Sequence, residues 1–371
     1  MGIRGLATLH SSSSVIRPFT ESDLSAVAGL HHRLYPCNPF PEEQLQAYFR
    51  RIFFENPWYD QEFPPLVSED PAGRVSGFLG VMQRRMAFRG RPIRAAISAQ
   101  LLVDPASRSS LAGVQLLQKF FQGPQDLFIT DGANDAARSL WEGLGGKTAL
   151  LYSMDWTRPL RPGRYVTFSL RKRMPLGALA ATPATALLDL LATRISRSHF
   201  RLQPQNSAEE LTIPTMLENL SAFVGRLSLR PEYDLQSLGW LVEEAAQKKS
   251  HGSFRKVLVR NEKSEILGWY LYYVCPGGIS QVVQLNAKKQ TVEAVLKHLF
   301  YHAWKEGSIA VCGRLVPQFL EELSANQCMI QRGSSWTLVH SRDPELLQAI
   351  DRGDALLSRL EAEWWMRFLG G

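Results

Sequence analysis

Cysteine is scarce in this 371-residue sequence, and long apolar runs are missing from it. The four cysteines, Cys37, Cys275, Cys312 and Cys328, show no Cys-x-x-Cys or zinc-type spacing, so we expect buried free thiols in a reducing cytoplasm. No apolar stretch approaches the roughly 20 residues that a bilayer-spanning helix needs. The serines at positions 11–14 are not preceded by the apolar core of a signal peptide, which predicts a frayed leader.

Several motifs that mark well-known enzyme classes are also missing. The sequence contains no Gly-x-Ser-x-Gly elbow, no phosphate-binding lysine loop and no dinucleotide fingerprint, which argues against the chemistry that those motifs serve. His298 and His302 are four residues apart, a spacing that can hold a metal, but their neighbours Phe300, Tyr301 and Trp304 indicate a packed helix. We therefore expect no metal cofactor.

The sequence is basic. Its 42 Lys and Arg against 35 Asp and Glu give a formal charge of +7, which favours an anionic partner. Basic residues cluster at positions 84–94 and 158–173. Solvated loops, CoA phosphates, anionic lipid and nucleic acid all fit such clusters. Because no zinc-finger or RNA-binding signature occurs, nucleic acid is not expected as a partner, whereas peripheral contact with an anionic membrane stays open.

The sequence repeats one order of elements in its two halves. In the first half, residues 66–81 indicate a strand, a charged turn and a second strand, and a further strand and helix follow at 95–121. In the second half the same order occupies residues 258–273 and 280–304. A final strand, helix and strand complete each half. Two copies of one α/β unit are the economical interpretation.

We therefore predict two domains, at residues 1–157 and 206–371, joined by a linker at 158–205. A chain of this length is long enough to form two hydrophobic cores. The linker is rich in arginine and proline and contains an apolar helical face at 184–200, which would pack on the domain interface or lie on a membrane surface. Residues 355–368 predict a further amphipathic helix, packed in the core.

Two motifs in the first half carry a family resemblance. Residues 134–146 follow an apolar strand, so that a strand with Asn at its end leads into a short helix and a Gly-terminated stop. Residues 103–113 form a strand followed by a turn with Arg108 and Gly113. In their order and spacing, the motifs of residues 15–156 resemble the GNAT acyl-CoA N-acyltransferase superfamily. The pyrophosphate motif of that family is a strand followed by (Gln/Arg)-x-x-Gly-x-(Gly/Ala).

The resemblance implies a fold and a cofactor site. The fold is α/β, with two tandem GNAT-like domains, each a mixed, mostly antiparallel sheet flanked by helices. Acyl-CoA would bind at the strand-to-helix turn, where unpaired amides and the helix dipole favour pyrophosphate. Leu111 departs from the family pattern, which has glycine at that position. The implied CoA contacts are Val103, Arg108, Ser109, Ser110, Leu111, Ala112, Gly113 and Asn134.

The second copy departs further from the family pattern. If Leu285 corresponds to Val103, then Glu293 and Val295 stand where Leu111 and Gly113 stand in the first copy. An acidic and a β-branched side chain there argue against phosphate binding. We expect the first copy to bind CoA and the second to be structural or to shape the acceptor site.

The resemblance also implies direct attack of an amine on the thioester, without a covalent enzyme intermediate. The oxyanion donor would come from the backbone of the fourth strand, near Leu102. For the proton acceptor, Asp131 is the best-placed carboxylate, with helix capping as its alternative role, and Tyr152 could reach the same cleft. The tyrosine acid of the family is missing, because Leu140 and Trp141 occupy its positions.

These features predict a CoA-dependent N-acyltransferase acting on a small-molecule amine, an amino sugar or a lipid-like amine. In the family the first helix, here with His31, His32 and Tyr35, borders the acceptor site. The many aromatic residues of 35–63 fit either a helix pair packed on the sheet or a large apolar ligand, such as a fatty acyl chain or a sphingoid-type amine. The alternatives are a non-catalytic acyl-CoA-binding or scaffold protein and an aminoacyl-tRNA-dependent transferase. The expected location is the cytoplasm, with peripheral contact at the inner membrane surface as an option.

Overall fold

A computed structural model describes residues 15–107, 111–173 and 206–366. Of Ser107 and residues 171–173 only the backbone is described. The strands are β1 (Val15–Pro18), β2 (Leu66–Glu69), β3 (Val75–Phe88), β4 (Arg91–Val103), β5 (Leu127–Ala133), β6 (Lys147–Thr148), β7 (Met154–Pro159), β8 (Ser207–Glu210), β9 (Leu229–Pro231), β10 (Ser253–Arg260), β11 (Ile266–Val274), β12 (Ile279–Ala287), β13 (Ala310–Arg314), β14 (Met329–Arg332) and β15 (Trp336–His340). The helices are α1 (Leu24–Leu34), α2 (Glu42–Phe53), α3 (Ala112–Phe121), α4 (Asp135–Gly143), α5 (Pro162–Arg173), α6 (Ile213–Val224), α7 (Leu235–Ala246), α8 (Val292–Lys305), α9 (Leu320–Ala325) and α10 (Pro344–Asp351).

The strands of the described part form two mixed sheets. The first has the order β1-β2-β3-β4-β5-β15-β6, with β9 paired to the far end of β3, and the second has the order β14-β7-β13-β12-β11-β10-β8. Each sheet has one parallel pair, β4 with β5 and β12 with β13, and its other pairs are antiparallel. Both hairpins predicted from the repeat are present, as β2–β3 and β10–β11. The predicted α/β fold of two mixed, mostly antiparallel sheets is confirmed.

The two halves exchange strands. The last strand of the first half, β7, lies between β13 and β14 in the second sheet. In return, β15 pairs with β5 in the first sheet, with Val339 opposite Ile129. Each half therefore completes the sheet of the other, and the predicted boundary after residue 157 falls within β7.

Helices cover the first sheet on both faces. α1 and α2 pack on one face, where Phe49 and Phe53 contact Phe78 of β3, with ring centroids 5.9 and 5.5 Å from that of Phe78. α3 packs on the other face. The apolar core under α1 and α2 continues into the second half, since it includes Leu241 and Trp269. Of the aromatic residues of 35–63, Tyr48, Phe49 and Phe53 lie on α2 and are buried in this core, and the others lie in the segments on either side of that helix.

The predicted helix at 355–368 is not formed by the described residues of that stretch. Residues 355–366, which we call the C-terminal segment, are almost entirely buried and contain a single turn of 3-10 helix at Trp364–Met366. Hydrogen bonds to residues distant in sequence engage backbone N–H and C=O groups of the segment that would otherwise bond within a helix. Tyr152 Oη donates to the Ala355 carbonyl at 2.7 Å, and the Leu356 amide donates to the Leu229 carbonyl at 2.9 Å.

The described helices also bear on the membrane question. None of them is long and apolar enough to cross a bilayer. The apolar helical face predicted at 184–200 lies outside the described residues, so its membrane contact stays a prediction.

Candidate active site

The parallel strands at the centre of the first sheet separate toward their carboxyl ends. β4 and β5 pair from Ala95 opposite Leu127 to Ile97 opposite Ile129, and these are their only paired positions in the described part. Beyond them lies a gap that we call the first cleft. Two separating strands leave backbone N–H and C=O groups without a partner strand, and such groups can bind an extended ligand.

A bulge in β4 lies where this separation begins. The register between β3 and β4 shifts after Phe78, so that Gly80 faces Ala99, and Gln100 adopts a φ of +55°. A bulge bends and twists its strand. Glycine is required at position 80, because a Cβ there would lie 2.4 Å from the Phe53 ring.

The first cleft contains a cavity of about 620 Å³, within the range of small-molecule sites. Its walls come from α1, β4, β5 and α4, and from the loop before β15, which contributes Ser334 and Ser335. Leu140 and Trp141 of α4 also line it, at the positions where the family would have its tyrosine acid. Both halves of the chain therefore contribute to one cavity.

Two of the predicted CoA contacts line this cavity. Val103 and Asn134 line it, and Asn134 Oδ1 accepts from the Ala137 amide at 2.9 Å, which caps α4. Leu111 is exposed just before α3, and Ala112 is buried in the first turn of that helix. Gly113 follows it, and Arg108, Ser109 and Ser110 lie outside the described residues.

The amide predicted as oxyanion donor does not face the first cleft. The Asp104 amide donates to the Ser76 carbonyl at 2.9 Å and thus points toward β3. N–H groups alternate between the two edges of a strand, so the Leu102 amide also points toward β3. The amides of Leu101 and Val103 point the other way, into the cleft.

A carboxylate that the sequence did not single out lies at the floor of the cavity. Glu363 comes from the C-terminal segment and is only 9% exposed. Its Oε1 accepts from Thr130 Oγ1 at 2.5 Å and from the Gly132 amide at 3.1 Å, both on β5. Its Oε2 accepts from the Gln100 amide on β4 at 3.4 Å. Glu363 thus bridges the two strands where they separate.

Asp131, predicted as the best-placed proton acceptor, is fully buried and already engaged. Arg314 of β13 donates to its Oδ2 at 2.5 Å, and the Glu363 amide donates to its Oδ1 at 2.9 Å. Asp131 is not among the residues that line the cavity. Its carboxylate therefore holds the C-terminal segment against β5 and forms an ion pair with an arginine of the second half.

Tyr152, the other predicted catalytic side chain, lies away from the first cleft. Its hydroxyl donates to the Ala355 carbonyl and accepts from the Ala355 amide at 3.2 Å. Burial raises the pKa of this phenol well above its ordinary value. The hydroxyl therefore helps to hold the C-terminal segment in place. The Tyr152 side chain does not lie beside Glu363.

His31 of α1 lines the cavity as a neutral ring. Burial, with a smaller contribution from His32, lowers the pKa of His31 to about 4. Asn38 Oδ1 accepts from the Phe40 amide at 3.1 Å, which fixes the side-chain amide so that Asn38 Nδ2 faces His31 Nδ1 at 3.3 Å. His31 Nδ1 must then accept, and the proton of the neutral ring is on Nε2.

The second sheet has the same kind of gap, but the chain itself fills it. β12 and β13 pair only at Ile279–Val282 and Ala310–Gly313, and the C-terminal segment occupies the space beyond, which we call the second cleft. Arg314 donates there to the Leu357 carbonyl at 3.3 Å. The remaining cavity is about 20 Å³, room for roughly one water molecule.

No protein-family model matches the chain, and no curated protein matches it in sequence. Solved structures do share its fold. It is similar to a conserved Enterococcus faecalis V583 protein of unknown function described as a probable N-acyltransferase, with 9% identity over 91% of this chain and 74% of that one and a TM-score of 0.56. It is also similar to a GCN5-related N-acetyltransferase from Anabaena variabilis ATCC 29413, with 11% identity over 90% of this chain and 74% of that one and a TM-score of 0.56. A third, from Kribbella flavida, has 12% identity over 91% and 72% and a TM-score of 0.53. The chain thus has the fold of GCN5-related N-acetyltransferases.

Proposed function

We propose that this chain, which has the fold of GCN5-related N-acetyltransferases, is a CoA-dependent N-acyltransferase that works in its first cleft. The contrast between the two clefts carries the proposal. The first holds about 620 Å³ of open space lined by both apolar and polar groups, whereas the second keeps about 20 Å³. Of these two clefts, the first is the one with room for part of a ligand as long as acyl-CoA.

The first cleft offers groups for each part of an acyl-CoA. The backbone edge of β4 that β5 leaves unpaired can bind the amides of a pantetheine arm. The pyrophosphate would lie at the turn before α3, where first-turn amides are available and Gly113 lets the backbone approach. A Cβ at Gly113 would meet only ordinary contacts, 3.4 Å to Val103 Cγ2 and 4.0 Å to Leu140 Cδ2, so the surrounding protein does not require glycine there.

The reaction supported by this geometry is direct acyl transfer. The amine nitrogen forms a bond to the thioester carbonyl carbon, the carbon–sulfur bond breaks, and the electron pair leaves with the CoA sulfur. The amides of Leu101 and Val103 face the cleft and can stabilise the oxyanion of the tetrahedral intermediate. Since Leu140 and Trp141 line the leaving-group side, the thiolate departs without a tyrosine acid.

A short acyl group and a polar amine fit the cleft best. The layer beneath β3 and β4 is closed, because Phe49, Phe53 and Phe78 are buried against one another and Gly80 is in contact with the Phe53 ring. A long acyl chain would find no room there. Ser98, Ser334 and Ser335 add hydroxyls to the walls, which suits a polar acceptor.

Release of the CoA thiol tests this function. Acetyl-, hexanoyl- and palmitoyl-CoA would each be assayed with a panel of amines: an amino sugar, a polyamine, an amino acid and sphingosine. We expect thiol release that requires an amine and is fastest with acetyl-CoA. A rate that rises with chain length, as burial at ~0.8 kcal/mol per methylene would produce, would contradict the short-donor assignment. CoA binding without turnover for any amine would leave a non-catalytic binding protein instead.

A further inference from the structure

The first cleft needs a proton acceptor, because an ammonium must lose a proton before it can attack and the tetrahedral adduct of the neutral amine must lose one afterwards. Among the described residues that line the cavity, Glu363 is the one carboxylate. It reaches the cleft from the far end of the chain, 263 positions after Gln100 and 231 after Gly132, the residues whose amides it accepts from.

The neighbouring candidates are occupied in other ways. Asp131 is fully buried and paired with Arg314, so a proton placed on it would break a buried ion pair. His31 Nδ1 accepts from Asn38, and the proton of the neutral ring is on Nε2, so His31 presents a donor. The Tyr152 hydroxyl is bonded to Ala355.

The position of Glu363 suits the transfer step. The Gln100 amide donates to its Oε2. Because the bulge with its positive φ at Gln100 interrupts the alternation, the next amide along β4, that of Leu101, points to the same side. Consecutive Cα atoms are about 3.8 Å apart, so the amide that binds the carboxylate and the proposed oxyanion donor belong to neighbouring residues of one strand. An amine that attacks a thioester held by Leu101 would therefore approach the Glu363 side chain.

We infer that Glu363, brought into the first cleft by the C-terminal segment, is the catalytic residue that takes the proton from the attacking amine. The inference rests on the proposed function. As the nitrogen–carbon bond forms, one N–H proton passes to the Glu363 carboxylate. The CoA thiolate leaves with the electron pair of the broken carbon–sulfur bond. Glu363 then returns the proton to the thiolate or to water, which regenerates the carboxylate.

Glu363→Gln is the most informative variant. Glutamine keeps the shape of the side chain, and its carbonyl oxygen can still accept from Thr130 and Gly132, so the segment should stay in place. We expect kcat to fall by roughly 10²–10³ while CoA affinity stays within about twofold of the wild type. The residual rate should rise with pH, because the amine must then lose its proton to bulk water. A purely structural role would lower the rate equally at all pH values.

Two further variants complete the test. Glu265→Gln changes an exposed carboxylate and should behave as the wild type. Glu363→Asp keeps a carboxylate one methylene further back and should retain the wild-type pH profile with a reduced kcat. A Glu363→Gln enzyme with wild-type kcat and pH profile would overturn this inference alone, and so would an aspartate variant with the profile of the glutamine variant. Absence of amine-dependent turnover in the wild type would overturn the proposed function and this inference with it.

Discussion

Two carboxylates lie side by side beneath the first cleft, and their surroundings give them different roles. Asp131 is buried and forms an ion pair with the Arg314 guanidinium. Removing one partner of such a pair is strongly destabilising, because it leaves an uncompensated buried charge. Glu363 faces the cavity and takes its hydrogen bonds from Thr130 and two backbone amides. The first carboxylate stabilises the fold, and the second lines the cavity in which we propose the chemistry.

At Gly113 the proposed phosphate approach can be tested with one substitution. A valine side chain there would extend toward Val103 and Leu140, which line the cavity. We expect Gly113→Val to weaken CoA binding tenfold or more, about 1.4 kcal/mol, in calorimetric titration. Gly239→Val is the matched control, since Gly239 is also helical and a Cβ there meets nothing within 4 Å. Equal CoA affinity in the two variants would show that phosphate binds elsewhere.

The sequence could identify Asp131 but not Glu363 as a candidate acid–base group. Asp131 lies near the end of a predicted strand and just before the Asn134 motif, both of which can be recognised from consecutive residues. Glu363 has no local signal, because its partners Gln100, Thr130 and Gly132 lie more than 200 positions away. The direction of the Leu102 amide was equally hidden, since it depends on a bulge at Gln100 that the strand pattern does not encode.

At the scale of elements, the C-terminal segment has two functions in the structure. Its first part fills the second cleft, where Arg359 donates to Gln281 Oε1 at 2.8 Å and forms an ion pair with Asp155 at 2.9 Å. Its last part brings Glu363 to the first cleft. The sequence predicted a helix for this segment from its apolar spacing, but hydrogen bonds from both sheets hold it in an irregular form with turns and one 3-10 turn. The C-terminal segment thus fills the second cleft and places Glu363 at the first.

The packing of α8 on β11 predicts how stability depends on pH. His298 Nδ1 lies 2.9 Å from Tyr270 Oη, and burial, with His302 contributing, lowers the pKa of His298 to about 4, from an ordinary value of 6.5. Between these values the unfolded chain binds more protons than the folded one. The stabilisation is therefore complete above about pH 6.5 and is lost as the pH falls toward 4.

Chemical denaturation at about pH 8 and pH 5 measures this effect. We expect His298 to account for roughly 2 kcal/mol of the stability lost between these two conditions. Other carboxyl and imidazole groups also titrate over this range, so the wild type is compared with His298→Gln. The variant should lose correspondingly less of its free energy of unfolding between the two pH values. An identical loss in wild type and variant would contradict the assignment of His298 as a neutral buried ring.

At the scale of the whole molecule, the exchange of β7 and β15 makes the two halves one structure. The repeat in the sequence correctly indicated two α/β units, because hairpins and strand–helix order are local features. The exchange could not be predicted, since both strands would fit either sheet by pattern alone. The domain boundaries at 157 and 206 stay predictions, and the shared core means that neither half should be expected to fold alone.

The second half thereby has a defined purpose in the proposed enzyme. Its own cleft is filled, yet it supplies Arg314 to Asp131, Ser334 and Ser335 to the cavity wall, and the chain that leads to Glu363. The expectation that the second copy is structural or shapes the acceptor site stays a prediction.

Calorimetric titration of the full chain with CoA tests the central claim, that only the first cleft is open to this ligand. We expect a single binding site per chain, because the second cleft is occupied by the C-terminal segment. Two sites per chain of similar affinity would show that the second cleft also opens, and no binding at millimolar CoA would contradict the assignment of the first cleft.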